Sequence, residues 1–167
     1  MHDQEGEEGI VRFLALPVVI LCAAGLAAQP RLVPLDAAGY RKLLAENKGQ
    51  ILLVDFWATW CEPCLKELPE LVKLHKRLGG RFRLITVSAD DPEQEADARK
   101  FLTKFGAPPP YYIKRSGDDD AFIRAVDPNW SGALPALFLY DRQGRRVRSF
   151  VGETEISVIE AAIRKLP

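Results

Sequence analysis

The feature that most constrains the fold of this chain is an apolar run that leads into two cysteines. Residues 51–57 read ILLVDFW, a continuous apolar and aromatic stretch of strand length, and Cys61 and Cys64 follow in the sequence WCEPC. From Leu65 onward, leucines recur at the three- and four-residue spacing of a helix. The pattern therefore predicts a strand covered on both faces that delivers a Cys-x-x-Cys pair to the first turn of a helix.

The rest of the sequence alternates between strand and helix patterns. Helices are predicted at 36–47, 62–78, 92–105, 118–126 and 153–166. Strands are predicted at 31–35, 51–58, 81–89, 111–113 and on both sides of a turn at 141–144. Strands that alternate with helices favour right-handed crossovers and parallel pairing. We therefore predict an α/β fold with a central mixed β-sheet, flanked by helices on both faces.

The N-terminal segment is predicted to be an export signal rather than part of the fold. Residues 13–28, FLALPVVILCAAGLAA, form an apolar run that ends in small residues. The run is short for a membrane span, and a retained membrane anchor is the competing interpretation. We divide the chain into an export segment at 1–28 and a folded domain at 29–167. Residues 1–10 are acidic, whereas an export signal normally begins with basic residues. Translation that begins at Val11 would give the signal such a start, with Arg12 as its second residue.

Charge and cysteine content exclude several classes of protein. Lys plus Arg and Asp plus Glu each number 23, and no basic block resembles a nucleic-acid footprint. With Cys22 in the export segment, the two remaining cysteines are too few for a disulfide-stapled scaffold. A zinc site needs about four ligands, which two cysteines and His75 do not supply. We interpret His75 as a solvated helix residue and predict no metal, no other cofactor and no nucleic-acid partner.

The position of the cysteines indicates thiol-disulfide exchange. Backbone N–H groups are unpaired in the first turn of a helix and the dipole is positive there, so the leading sulfur is stabilised as a thiolate. We therefore predict that Cys61 is the nucleophile. Cys64 lies one helical turn deeper, where it can attack a mixed disulfide on Cys61 and release the reduced substrate. Pro63 suits the first turn, since its missing N–H removes no hydrogen bond.

The segment VDFWATWCEPC resembles the active-site signature of the thioredoxin-like proteins. The variant WCEPC, behind an export signal, is similar to the TlpA/ResA-like thiol-disulfide oxidoreductases of the bacterial cell envelope. Pro69 falls where such proteins bend their active-site helix, and residues 133–144, ALPALFLYDRQG, resemble their cis-proline loop and hairpin. The resemblance covers Arg31 to the end. It implies a thioredoxin-like fold, with 111–126 as an inserted strand-helix element before the cis-proline.

The resemblance also implies roles for residues around the cysteines. Trp60 matches the aromatic residue that shields the disulfide, and Pro135, after Leu134, matches the cis-proline that faces it. Without the resemblance, Pro135 would be interpreted as an ordinary trans proline. A cis bond would turn backbone groups toward the sulfurs, where they can pair with an extended substrate peptide. Trp130 either lines this substrate groove or packs in the core.

Asp55 matches the buried carboxylate that exchanges a proton with the resolving cysteine. Because it lies in a covered strand, desolvation should raise its pKa and make it a base near neutral pH. The alternative is an aspartate at a solvated strand end. Some TlpA/ResA-like proteins have a neutral amide at this position and use a different acid, so this chain departs from them.

Three functions are compatible with these residues. The first is an extracytoplasmic reductase of protein disulfides, recharged by a membrane thiol donor, and the resemblance implies a role in cytochrome c maturation. The second is an oxidase of secreted protein thiols, which a histidine between the cysteines would favour. This chain has Glu62 there instead, and its negative charge destabilises the Cys61 thiolate and so disfavours the oxidase. The third is a non-catalytic thioredoxin-like binding module with a structural disulfide.

Of these functions we favour the reductase, acting as a monomer in the periplasm or cell envelope. Its partners are then protein disulfide substrates and the membrane thiol donor. The catalytic residues are Cys61, Cys64 and Asp55, and the cysteine pair is the redox disulfide. The residues expected to contact substrate are Trp60, Glu62, Pro63, Trp130, Leu134 and Pro135.

Overall fold

The computed structural model describes residues 31–115 and 117–167. The predicted export segment 1–28, the alternative start at Val11 and Cys22 lie outside these residues. Six strands in the described part form one sheet with five α-helices, which confirms the predicted mixed α/β fold. None of the described helices is both long enough and apolar enough to cross a membrane.

The elements follow the predicted order. The strands are β1 (Leu32–Leu35), β2 (Ile51–Trp57), β3 (Phe82–Ser88), β4 (Tyr111–Lys114), β5 (Ala136–Tyr140) and β6 (Arg146–Val151). The helices are α1 (Ala37–Glu46), α2 (Glu62–Arg77), α3 (Glu95–Phe105), α4 (Asp119–Val126) and α5 (Ile156–Arg164), and a short 3₁₀ turn at Pro92–Gln94 precedes α3.

The predicted helix at 153–166 is shorter than expected and starts later. Gly152 has a φ of +84°, which turns the chain after β6. The backbone N–H of Gly152 donates to the carbonyl of Pro135 at 2.9 Å. The residues between this turn and α5 therefore lie against the start of α2 instead of adding a helical turn.

The strand order in the sheet is β1-β4-β3-β2-β5-β6. The first four of these strands run parallel, and β5 pairs antiparallel with both β2 and β6. The inserted strand β4 lies between β1 and β3 and pairs with each. The insertion is therefore an internal strand of the sheet and not an addition at its edge.

The central strand β2 is buried along its whole length, as its apolar run predicts. Its odd-numbered side chains pack into a core with α2, α3 and α5, whereas its even-numbered side chains pack with α1 and α4. Asp55 is odd-numbered, so its carboxyl lies on the face that α2 covers. This alternation places Asp55 beneath the helix that carries the cysteines.

Helix α2 begins at the cysteine pair. The sulfur of Cys61, at the N-cap position, accepts a hydrogen bond from the backbone N–H of Cys64 at 3.4 Å. Pro63 stands in the first turn and Pro69 inside the helix, which continues to Arg77. Its buried side chains are those of Cys64, Leu68, Leu71, Val72 and Leu74.

The environment of His75 differs from the sequence interpretation. This residue lies on α2, but its ring is half-buried and packs edge-on against Phe82 at a centroid distance of 5.2 Å. Burial is the main cause that lowers the pKa of His75. The description of His75 as a solvated residue is therefore wrong, because the start of β3 packs across the end of α2.

Candidate active site

Cys61 and Cys64 form a disulfide at the junction between β2 and α2. Their sulfur atoms are 2.01 Å apart and their Cα atoms 5.3 Å apart. The exposed fraction is 6% for Cys61 and 1% for Cys64. Both residues are therefore buried, and Cys61 is the more accessible of the two.

A buried carboxylate fixes the turn that leads to Cys61. Asp90 is 1% exposed, and its two oxygens accept hydrogen bonds from the backbone N–H of Thr59 at 3.0 and 3.1 Å. The hydroxyl groups of Thr59 and Ser88 also donate to it, at 2.7 and 2.6 Å. Sequence reasoning missed Asp90, since two aspartates after a strand are typical of a helix start.

The peptide bond between Leu134 and Pro135 is cis, as the resemblance implied. Ala136, the first residue of β5, pairs with Phe56 near the end of β2. The cis-proline therefore precedes a strand whose first residue lies beside the end of the strand that leads to the cysteines. A second cis bond joins Pro109 to Pro110 in the proline-rich connector, and the sequence analysis did not predict it.

Three of the predicted substrate-contact residues line one mostly apolar cavity of about 170 Å³: Trp60, Trp130 and Leu134. Trp60 is 63% exposed and stands at the surface. Trp130 is buried, its ring centroid is 4.9 Å from that of Phe56, and its Nε1 donates to the carbonyl of Ala133 at 2.9 Å. Trp130 thus both packs in the core and lines the cavity.

The remaining two contact candidates lie elsewhere around the disulfide. Glu62 is not among the residues lining the apolar cavity, and its exposed carboxylate pairs with Lys66 at 2.8 Å. The hydrogen bond from Lys66 lowers the pKa of Glu62. Pro63 lines a separate cavity of about 260 Å³ with acidic walls. Because Lys66 partly neutralises Glu62, the repulsion of a Cys61 thiolate by Glu62 is weaker than the sequence suggested.

Asp55 is 2% exposed, so the alternative of a solvated strand end is wrong. Its Oδ2 has no hydrogen-bond partner among the described residues. Burial raises the pKa of Asp55 well above its usual value, and the nearby carboxyl of Glu67 raises it further. A carboxyl in this environment keeps its proton to higher pH than an exposed aspartate does.

Glu67 is a second perturbed carboxyl that the sequence analysis did not single out. It lies on α2 three residues after Cys64 and lines the acidic cavity. Burial raises the pKa of Glu67 to about 7, and Glu153 adds to the rise whereas the backbone N–H of Thr154 opposes it. The three-residue spacing from Cys64 was the available signal, since it puts both side chains on one side of the helix.

The two carboxyls lie at different depths in the site. The charge of Glu67 adds to the rise in the pKa of Asp55. Asp55 is buried beneath α2, while Glu67 reaches the acidic cavity that opens beside Pro63. Within the described part of the chain, no three His, Cys, Asp or Glu side chains are arranged to hold a metal ion.

In this sheet a buried strand leads to a disulfide at a helix start, and a cis-proline precedes the neighbouring strand. This arrangement is that of the thioredoxin-like thiol-disulfide oxidoreductases. The chain belongs to the AhpC/TSA family, whose sequence model matches residues 26–148.

Individual relatives agree with this class. The thiol-disulfide oxidoreductase ResA of Bacillus thuringiensis (strain Al Hakam) is 28% identical over 138 residues, which cover 82% of this chain and 75% of that protein. ResA of Geobacillus kaustophilus (strain HTA426) is 29% identical over 140 residues, with the same coverage. The crystal structure of a DsbF homologue from Corynebacterium diphtheriae has a TM-score of 0.63 and 24% identity, and the match covers 74% of this chain and 76% of that one. The predicted resemblance to thioredoxin-like, ResA-like oxidoreductases is confirmed.

Proposed function

We propose that this protein is an extracytoplasmic reductase of protein disulfides, in which Cys61 attacks the substrate and Cys64 resolves the intermediate. The observation that carries the proposal is the position of Cys61 at the N-cap of α2, together with its slightly greater exposure: 6% of the residue is exposed, against 1% for Cys64. The sulfur at the N-cap of α2 lies where the helix dipole stabilises a thiolate. A nucleophile must be accessible and ionised, and Cys61 meets both conditions better than Cys64.

The reaction proceeds by two sulfur exchanges. The thiolate of Cys61 attacks one sulfur of the substrate disulfide, forms a mixed disulfide and releases the other substrate sulfur as a thiolate. Cys64 then loses its proton and attacks the sulfur of Cys61, and the second substrate thiolate leaves. The cysteine pair is oxidised by two electrons, and the substrate disulfide is reduced by the same two electrons.

Asp55 and Glu67 supply the proton route for the second exchange. Cys64 is 1% exposed and cannot give its proton directly to bulk water. Asp55 is buried in β2 on the sheet face that α2 covers; in its ionised form it accepts that proton, and Glu67 passes the proton to the acidic cavity that opens at the surface. A pKa of about 7 for Glu67 suits a group that takes and releases protons near neutral pH.

Substrate binding is assigned to the side of the disulfide where Trp60 and the cis-proline loop lie. The backbone around Leu134 and Pro135 pairs with an extended substrate segment. The apolar cavity beside Trp60 takes a neighbouring side chain of that segment. Inserted helix α4 forms part of its wall through Phe122 and Ile123, so the insertion contributes to the choice of substrate.

The direction of electron flow follows from the charge beside the nucleophile. Strong oxidants of this class stabilise the reduced form, and Glu62 supplies no positive charge to do so. The ion pair with Lys66 weakens the repulsion between Glu62 and a Cys61 thiolate. The apolar run at 13–28 supports export of the protein. The exported protein acts as a monomer, and a membrane thiol donor reduces its cysteine pair again after each reaction. By the resemblance to ResA, apocytochrome c is the substrate proposed.

Alkylation of the reduced protein tests the assignment of the two cysteines. At mildly acidic pH, iodoacetamide should modify Cys61 at least about tenfold faster than Cys64, because Cys61 is the more accessible of the two residues and lies at the helix start. Peptide mapping by mass spectrometry gives the two rates. Equal rates, or faster modification of Cys64, would contradict the assignment.

Insulin reduction in the presence of dithiothreitol separates an enzyme from a binding module.

A further inference from the structure

The end of the sheet opposite to the disulfide carries an open cavity of about 490 Å³ that three arginines line. Arg81 and Arg83 flank the first residue of β3, and Arg142 lies in the turn between β5 and β6. The other lining residues are Gly49, Gln50, His75, Gly80 and Phe82. The lining therefore contains three positive charges and no carboxylate side chain.

No Asp or Glu side chain in the described part of the chain pairs with these three charges, and their one acidic contact is the bond from Nε of Arg142 to the terminal carboxylate of Pro167 at 3.0 Å. Neither Arg81, Arg83 nor Arg142 takes part in any of the ion pairs with Asp or Glu among the described residues. Their other contacts are with main-chain or amide oxygens at 2.6 to 2.9 Å, those of Asn47, Gly49, Arg164 and Leu166. The hydrogen bonds hold the groups in place without a side-chain carboxylate to balance them.

This arrangement is suited to an oxyanion. Guanidinium groups are charged at any physiological pH, so a cavity lined by three of them and by no carboxylate side chain attracts an anion. Each arginine keeps donors that its bonds to protein oxygens do not use, for example Nη1 of Arg81 and Nη2 of Arg142. Because the side chains are already positioned, little conformational entropy is lost on binding. The Nδ1 of His75 also lies here without a partner among the described residues.

We propose that this cavity binds a phosphate group through Arg81, Arg83 and Arg142. Phosphate offers enough oxygen atoms to accept hydrogen bonds from three guanidinium groups, which a single carboxylate does not. The same chemistry is presented by free inorganic phosphate and by the headgroup of an anionic phospholipid. The cavity is separated from the disulfide by the length of β2, roughly 20 Å, so its ligand does not take part in the sulfur chemistry.

Two binding measurements on the oxidised full-length protein test the proposal. In the first, inorganic phosphate is titrated into the protein in a calorimeter. In the second, the protein is sedimented with phosphatidylglycerol vesicles and with phosphatidylcholine vesicles. Both measurements compare the wild type with Arg83→Gln and with Arg41→Gln. Arg41 is the matched control, because it is an exposed arginine on α1 that lines no part of this cavity and forms no ion pair within the described residues.

Binding of phosphate that weakens about tenfold in Arg83→Gln, and not in Arg41→Gln, supports free phosphate as the ligand. Binding to the anionic vesicles alone, with the same dependence on Arg83, supports a lipid headgroup. A second variant, Arg83→Lys, covers the case in which Arg83→Gln perturbs folding. Lysine keeps the positive charge but lacks the planar guanidinium group, so Arg83→Lys should weaken phosphate binding severalfold. Absence of binding in both measurements, or equal weakening in Arg41→Gln, would overturn the proposal.

Discussion

Replacement of Cys61 by serine is expected to lower the rate of disulfide reduction by roughly a thousandfold or more. A serine hydroxyl at the N-cap of α2 does not ionise near neutral pH, so no nucleophile reaches the substrate disulfide. Insulin reduction with dithiothreitol as electron donor measures the loss. Retention of more than a tenth of the activity in this variant would show that Cys61 is not the attacking residue.

Replacement of Cys64 should have a different result. Cys64→Ser keeps the nucleophile Cys61 and loses the resolving thiol, so a mixed disulfide between Cys61 and the substrate should accumulate. Non-reducing electrophoresis detects it, and mass spectrometry identifies the partner. The matched control is Cys22→Ser, since Cys22 lies in the predicted export segment and should affect neither result. A mixed disulfide that forms in Cys61→Ser instead would reverse the two roles.

The second large effect is expected from the carboxyls beneath α2. Asp55→Asn should slow the resolving exchange about 10- to 100-fold near pH 7, because the amide keeps the shape and cannot take the proton of Cys64. In the wild type this rate should rise with pH as Glu67 ionises, with a midpoint at its pKa of about 7. Glu67→Gln should remove that rise. Stopped-flow measurements between pH 5 and 9 provide the profiles.

Glu70→Gln is the control for this experiment. Glu70 lies one turn further along α2 and lines the same acidic cavity, but its carboxylate pairs with Lys73 at 2.6 Å. Its replacement should leave the profile with the wild-type midpoint. If the loss of Glu70 moved the midpoint as much as the loss of Glu67, the general acidity of the surface would explain the pH dependence.

The same carboxyls make stability depend on pH. Both have a pKa in the folded protein above the usual value, so the folded state holds more protons than the unfolded one. Their favourable contribution is present below the unfolded pKa, about 4, and is lost as pH rises through the folded pKa. Asp55→Asn should therefore raise the free energy of unfolding at pH 8 by on the order of 1 kcal/mol. Urea denaturation at pH 4 should show no such gain.

The elements around the cysteines were predictable because local pattern determines them. The apolar run of β2, the helical leucine spacing of α2 and Pro63 in its first turn all agree on one structure. The short strand β4 was also found, but its place between β1 and β3 was not. A four-residue strand carries no sequence signal for its neighbours, since pairing depends on the packing of distant elements.

The site was less predictable where residues distant in sequence meet. Glu67 looks like any polar helix residue, and it becomes half-buried because the turn before α5 packs against α2. Asp90 looks like a helix cap, and it becomes the anchor for the turn that leads to Cys61 because β3 lies beside β2. Both groups depend on tertiary contacts that single-sequence patterns do not contain. Asp55 was predictable because its own strand buries it.

The reduction potential of the Cys61/Cys64 pair tests most directly the central claim that this protein is a disulfide reductant. Equilibration with dithiothreitol and glutathione buffers, followed by counting of free thiols, gives the value. We expect a potential close to that of thioredoxin, about −270 mV, because no positive charge lies between the two cysteines to stabilise the reduced form. A potential close to about −120 mV, the value of the strong oxidant DsbA, would contradict the account and favour an oxidase of secreted protein thiols.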